Sequence, residues 1–177
     1  MNLQIQGRVH RLGDEVNTDV ILPGRYLALR RPEELGRHCL EGIDPGFAAR
    51  IQPGDILTAG RNFGCGSSRE HAVIALKAAG IAALVVHSAA RIFFRNAINL
   101  GLPVILCPEA AAALREGSLA SVTLPGPWVA QDGQRWPGAP LGAEVEAILA
   151  AGGLVPRVRQ SLAAPIQIPA KDLPAHG

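Results

Sequence analysis

The chain of 177 residues is 48% hydrophobic, enough for one substantial core and short for two. Its net charge of +2 comes from 17 basic and 15 acidic residues, and aromatic residues make up only 4%. The basic stripe and the stacking platforms of a nucleic-acid binder are both missing, so nucleic acid is not an expected partner.

The start of the chain alternates polar residues with Leu3, Ile5 and Val9, the pattern of a half-buried strand. It lacks the basic start and apolar block of a signal peptide, and no later stretch is long and apolar enough to span a bilayer. The expected location is the cytoplasm, with no membrane partner. Cysteine usage agrees with a reducing compartment. Cys39, Cys65 and Cys107 are odd in number and far apart, which argues against a disulfide framework and against an iron–sulfur or zinc loop within this chain.

From Gly13 to Gly24 the chain is rich in turn formers and carries Asn17-Thr18-Asp19 just before apolar residues, so a loop is expected, with Asp19 suited to an Asx-turn. Arg25-Tyr26-Leu27-Ala28-Leu29-Arg30-Arg31 follows and reads as a mobile loop. Pro32 to Glu41 reads as a short helix: proline opens it, Glu33 and Glu34 fill its first turn, and Gly42 stands just past its end. His38, alone on that helix, reads as a surface or packing residue.

The run Asp55 to Ala59 is a strand, and it leads into Gly60-Arg61-Asn62-Phe63-Gly64-Cys65-Gly66-Ser67-Ser68-Arg69-Glu70-His71. Glycines such as Gly64 and Gly66 permit positive φ and close approach of the backbone to a ligand, and free N–H groups at a helix start attract an anion. A carboxylate or phosphate is the natural occupant. The structural alternative is that Ser67 and Glu70 form a capping box. Capping does not account for the second serine, Ser68, for the run of glycines, or for Arg69 in a first helical turn, where a cation opposes the helix dipole. A P-loop is excluded, since Gly-Lys-Ser/Thr occurs nowhere in the chain. Cys65 reads as a small residue buried beside tight backbone.

Beyond the loop, Ala72, Val73, Leu76 and Ala79 recur at helical spacing, so a helix runs from Arg69 to Gly80. Ile81 to Val86 is a continuous apolar run rich in branched residues, the mark of a strand buried on both faces. Ala89 to Leu100 is helical, Gly101 to Cys107 gives another strand, and Ala110 to Arg115 a short helix. This alternation predicts an α/β core. Val122 to Leu124 and the segments around Asp132-Gly133 read as short strands with a hairpin turn. Ala143 to Ala151 forms a helix stopped by Gly152-Gly153. The organisation expected is one domain over residues 1–162 and an Ala/Pro-rich tail over 163–177.

The motif Gly64-Cys65-Gly66-Ser67-Ser68-Arg69-Glu70-His71, with Asn17-Thr18-Asp19 upstream and Arg91-Ile92-Phe93-Phe94-Arg95-Asn96-Ala97 downstream, resembles the small subunit of 3-isopropylmalate dehydratase, within the aconitase superfamily. The similarity runs from about Gly7 to Ser161. It implies the swivelling β/β/α domain of that superfamily, carried here on a separate chain. It implies a hydro-lyase that moves a hydroxyl between adjacent carbons of a malate-type acid, in leucine biosynthesis if the acid is isopropylmalate. Homoaconitate and dimethylmalate are the rival substrates, and a non-enzymatic anion-binding or regulatory module is the rival of another class.

The resemblance further implies that Ser67 is the catalytic base and that Asp19 lies at the active site, positioning Ser67 or Arg69. Arg69 would hold a substrate carboxylate and Ser68 would donate to it. Arg25, Arg30 and Arg31 all stand near the place of a second carboxylate contact, with Arg30 the named candidate. Ala28, with Leu29 beside it, falls on a loop near the variable substituent of the substrate, where an arginine would accompany a carboxylated substituent. The departing hydroxyl needs a Lewis acid, which the resemblance assigns to a [4Fe-4S] cluster in a partner large subunit. Alone, the chain is expected to be inactive. Arg91, Arg95, Asn96 and Asn99 reach either the site or the partner, or serve only as salt bridges and a helix cap.

Overall fold

The computed structural model describes residues 3–163, whose strands all join one sheet. In chain order the elements are β1 (Leu3–Arg11), α1 (Thr18–Ile21), α2 (Pro32–Arg37), α3 (Phe47–Arg50), β2 (Asp55–Ala59), α4 (Glu70–Ala79), β3 (Ile81–Val86) and α5 (Arg91–Asn99). There follow β4 (Val104–Leu106), α6 (Pro108–Ala113), β5 (Leu119–Leu124), β6 (Trp128–Gln131), β7 (Gln134–Pro137), α7 (Ala143–Ala150) and α8 (Leu154–Ala163). The strand order is β4-β3-β2-β1-β5-β6-β7. Strands β1 to β4 are parallel neighbours, and β5, β6 and β7 are added antiparallel on the far side of β1.

Side chains alternate across a strand, so a strand buried on both faces must feed two cores. Here they do. Leu84 and Val86 of β3 and Leu57 of β2 join one core with Ile21, Leu35, Val73 and Leu76 from α1, α2 and α4. Ala83, Val85 and Ile56 point the other way and pack with Ala110, Val122, Val129 and Leu149 from α6, β5, β6 and α7. The α/β expectation therefore holds, and the β-rich portion is continuous with the α/β portion through β1.

A buried polar contact fixes the start of β2 against β1. Asp55 is buried and accepts from the Gln52 amide (2.8 Å), the Arg8 amide (3.2 Å) and His10 Nε2 (2.7 Å). Burial alone would raise the Asp55 carboxyl, but these donors favour its ionised form and hold it below the ordinary carboxylate range. Sequence pattern gave no sign of this pair, because His10 and Asp55 are far apart in the chain.

Several local expectations need correction. The stretch Gly13 to Gly24 is not all loop: Asn17 accepts from the Val20 amide and caps α1, and a 3-10 turn begins at Gly24 and ends at Tyr26. Asp19 accordingly sits in the first turn of α1, not in an Asx-turn. The helix from Pro32 stops at Arg37, and the chain then turns through Leu40, which takes a positive φ of 59°. Short α3 was missed, as was α8 after Gly152-Gly153, where Pro156 lies in the first turn, a position that tolerates it. The capping box is not formed. The N-cap of α4 is Arg69 and no side chain caps it. Helices α5 and α6 and strands β4 and β5 agree with expectation apart from their end residues, and Asp132 and Gly133 both take the positive φ that a tight hairpin turn needs. Apart from Ala163, which closes α8, the expected tail lies outside the described residues. None of the described helices is long and apolar enough to cross a membrane.

Candidate active site

Three loops leave the carboxyl ends of the parallel strands β1, β2 and β3, and they stay in parallel register as single rungs beyond the sheet. Asn17 bridges Cys65, and Phe63 bridges Ala89. The rungs are backbone hydrogen bonds: Gly64 N–H to Val16 O (2.7 Å), Thr18 N–H to Cys65 O (2.9 Å), Phe63 N–H to Ser88 O (3.0 Å) and Ala90 N–H to Phe63 O (2.8 Å). The Thr18 hydroxyl adds a bond to Ser67 O at 3.0 Å. The sequence folds this way because Phe63, fully buried, drives the middle loop down onto Phe93 of α5, ring edge to face at 5.2 Å. Crevices beyond the carboxyl ends of parallel strands are where such sheets bind ligands.

Gly64 makes that approach possible. It takes a φ of +74°, and a Cβ there would stand 2.1 Å from Phe93 Cγ. Gly66 also takes a positive φ, 96°, and turns the chain so that Ser67 and Ser68 are exposed. Gly64, Gly66, Ser67, Ser68 and Arg69 line one depression with Thr18 and with Ala90, Arg91, Ile92 and Phe93 at the start of α5. Among the described residues the amides of Ser67, Ser68 and Arg69 meet no acceptor. The depression therefore presents unmet N–H groups, two hydroxyls and a guanidinium, a set of donors suited to a carboxylate.

Arg69 is braced from behind. Its Nη1 donates to Asp19 Oδ1 at 2.5 Å, and among the described residues Asp19 makes no hydrogen bond to the Ser67 hydroxyl. The start of the next segment passes close by: a Cβ on Gly24 would lie 3.7 Å from Arg69 Nη1 and 3.8 Å from Asp19 Oδ1.

Ala28, Leu29 and Arg30 are not among the residues lining the depression. Leu27 and Leu29 pack against the core, and Ala28 and Arg30 are exposed. The three arginines differ in engagement. Arg25 donates to Glu41 and lies 4.7 Å from the centre of the Tyr26 ring, and Arg31 pairs with Glu34 at 3.1 Å. Arg30 makes no ion pair among the described residues. Glu41 is held down at about 2 by the Tyr26 hydroxyl first, then His38, with Arg25 adding to both. His38 stacks on Tyr26 at 3.7 Å between ring centres, which makes it a packing residue.

Arg91, left open between the site, the partner and a salt bridge, lies beside the glycine loop. It is exposed, lines the same depression as Ser67 and Arg69, and forms no ion pair among the described residues. The signal was present: a cation at the first position of a helix opposes the helix dipole, just as Arg69 does. Arg95, Asn96 and Asn99 lie further along α5 and do not line the depression. Cys65 is half-buried, with its thiol 3.6 Å from Glu15 O, while burial pushes Cys39 up to about 12 and raises Cys107. No group of three or more His, Cys, Asp or Glu among the described residues is placed to hold a metal ion.

Residues 43–109 match the family model of the aconitase C-terminal domain. The chain is 49% identical over 160 residues to the 3-isopropylmalate dehydratase small subunit of Moorella thermoacetica, covering 89% of this chain and 96% of that one. It is 50% identical to small subunit 1 of the same enzyme in Methanopyrus kandleri (88% and 93% covered), and 45% identical to the 2,3-dimethylmalate dehydratase small subunit of Eubacterium barkeri (86% and 95%). The crystal structure of 3-isopropylmalate dehydratase from Methanocaldococcus jannaschii superposes with a TM-score of 0.85 at 41% identity, over 90% of this chain and 96% of that chain.

Proposed function

The chain belongs to the family of 3-isopropylmalate dehydratase small subunits, with the aconitase-type swivelling fold, and on that premise we propose that it works with a large subunit to interconvert 2-isopropylmalate and 3-isopropylmalate. The reaction is a dehydration followed by rehydration, as leucine biosynthesis requires. The observation that carries this reading is the meeting of Ser67, Ser68 and Arg69 in one donor-rich depression, with Arg69 braced by Asp19.

The proton to be removed is alpha to a carboxylate and very weakly acidic, so its base must be strong and well supported. Ser67 Oγ, already ionised as the alkoxide and supported in that form by the unmet amides of the loop and the positive end of α4, takes that proton and becomes the neutral hydroxyl, which returns a proton on rehydration. Arg69 offers its planar fork to a substrate carboxylate, oriented by Asp19, and Ser68 donates beside it. Arg30, the one arginine of its segment without an ion partner among the described residues, takes a second carboxylate contact. A [4Fe-4S] cluster in the large subunit supplies the Lewis acid for the departing hydroxyl. The place of work is the cytoplasm.

For the choice of acid, Ala28, exposed beyond the edge of the depression with Leu29 packed against the core beside it, is proposed to meet the variable substituent. A carboxylated substituent, as in homoaconitate, finds no cation at Ala28 and is disfavoured. Dimethylmalate stands as the second reading because a dimethylmalate dehydratase small subunit is 45% identical to this chain. The test is a competition of substrates with a reconstituted large subunit. Isopropylmalate is expected to exceed homoaconitate in kcat/KM at least about tenfold, as one apolar group in a pocket provides. Ala28→Arg should move the ratio toward homoaconitate. Equal rates in the native complex would defeat the choice of substrate.

A further inference from the structure

The segment proposed to read the substrate's substituent is tied down by one carboxylate. Glu41 stands in the turn after α2 and is 18% exposed at its side chain. Its Oε1 accepts from the Tyr26 hydroxyl at 2.7 Å and from Arg25, and its Oε2 lies 2.6 Å from His38 Nδ1. The rings of Tyr26 and His38 stack almost parallel, 11° apart. Both oxygens of Glu41 are thus committed to groups that flank or belong to the segment, and none is turned toward solvent alone.

The anchor is itself fixed to the frame of the site. Leu40, next to Glu41, is fully buried and donates its amide to Ile21 O, the last residue of α1, at 2.7 Å. The first turn of that same α1 carries Asp19, which braces Arg69. Hydrogen bonds and short stretches of chain therefore link Arg69 through Asp19 and α1 to Leu40 and Glu41, and on to Tyr26, whose carbonyl accepts from the Leu29 amide at 3.0 Å.

We infer that Glu41 is a positioning residue for substrate selection: by gripping Tyr26 and Arg25 it sets the distance between the segment Ala28 to Arg30 and the Arg69 carboxylate contact. The inference rests on the reading above that Ala28 faces the substituent. It asks Glu41 to touch no substrate atom.

The experiment uses the reconstituted two-subunit complex with Glu41→Gln, Tyr26→Phe and Ala28→Arg, and measures kcat and KM for isopropylmalate, dimethylmalate and homoaconitate. Glu41→Gln keeps the shape and removes the charge that three donors share. It is expected to raise KM for isopropylmalate roughly tenfold with kcat changed by less than about twofold, and to bring the preference for isopropylmalate over dimethylmalate toward one. Tyr26→Phe removes one of the three bonds, retains the stack on His38, and should move the same ratio in the same direction by a smaller factor. If Glu41→Gln fails to assemble, Tyr26→Phe decides alone. An unchanged ratio in either assembled variant, even with a lowered melting temperature, overturns the inference and leaves Glu41 as an ordinary structural ion pair. The arms separate the two claims: if Ala28→Arg shifts the homoaconitate ratio and the other two variants shift nothing, only the positioning role falls. If Ala28→Arg also shifts nothing, the reading of the segment falls and the inference with it.

Discussion

Among the described residues no structural duty falls to the Ser67 hydroxyl, which suits the role of base proposed for it. The cap that its sequence position suggested is absent, since α4 begins one residue past Arg69 without any side-chain cap. Ser67→Ala is therefore expected to change stability by no more than about 0.5 kcal/mol, as an exposed substitution does, and to lower kcat of the complex by roughly three orders of magnitude at nearly constant KM. Arg69→Lys should behave differently. It replaces a fork with a point charge and weakens the contact to Asp19, so KM should rise while stability holds. Paired melting curves and steady-state kinetics distinguish the two. A Ser67→Ala variant with full kcat and a lowered melting temperature would return that serine to a capping role.

At the level of elements, the site depends on how closely the glycine loop lies against α5. Gly64→Ala meets two obstacles together: a left-handed backbone, which costs roughly 1–2 kcal/mol for a residue with a side chain, and the buried, edge-packed ring of Phe93. Overpacking adds roughly 1–3 kcal/mol. The expected loss is about 2–5 kcal/mol in chemical denaturation, and in any folded fraction the loop should be displaced from α5 with activity lost. Native-like stability would mean that the loop is not pinned as described. The same loop explains what the sequence could tell. Its glycines, serines and arginine announced the donor-rich depression, and the branched run of β3 announced a doubly covered sheet, because both are local patterns. Hidden from such reading were the Asp19–Arg69 brace, the His10–Asp55 pair and the Glu41 grip, each joining residues that topology alone brings together. Short α1 and α3 were lost for another reason: four residues are too few to display a helical period.

For the whole molecule, we propose that residues 1–162 unfold as one unit, because β1 belongs at once to the parallel and the antiparallel parts of a single sheet. The chain offers a convenient test. Its two tryptophans, Trp128 and Trp136, stand on β6 and β7, whereas the longest core helices, α4 and α5, cover the parallel part. Tryptophan emission and far-ultraviolet circular dichroism should therefore give superimposable transitions in denaturant, and separated midpoints would divide the chain in two. The central place of β1 also bears on how the protein comes into being. Leu3 pairs with Leu124, so a strand made early by the ribosome finds its antiparallel neighbour only after β5 has been synthesised. At the usual pace of translation that interval is on the order of ten seconds. Throughout it the edge of β1 that β5 will cover stays open, an unpaired strand edge of the kind that invites pairing with other chains.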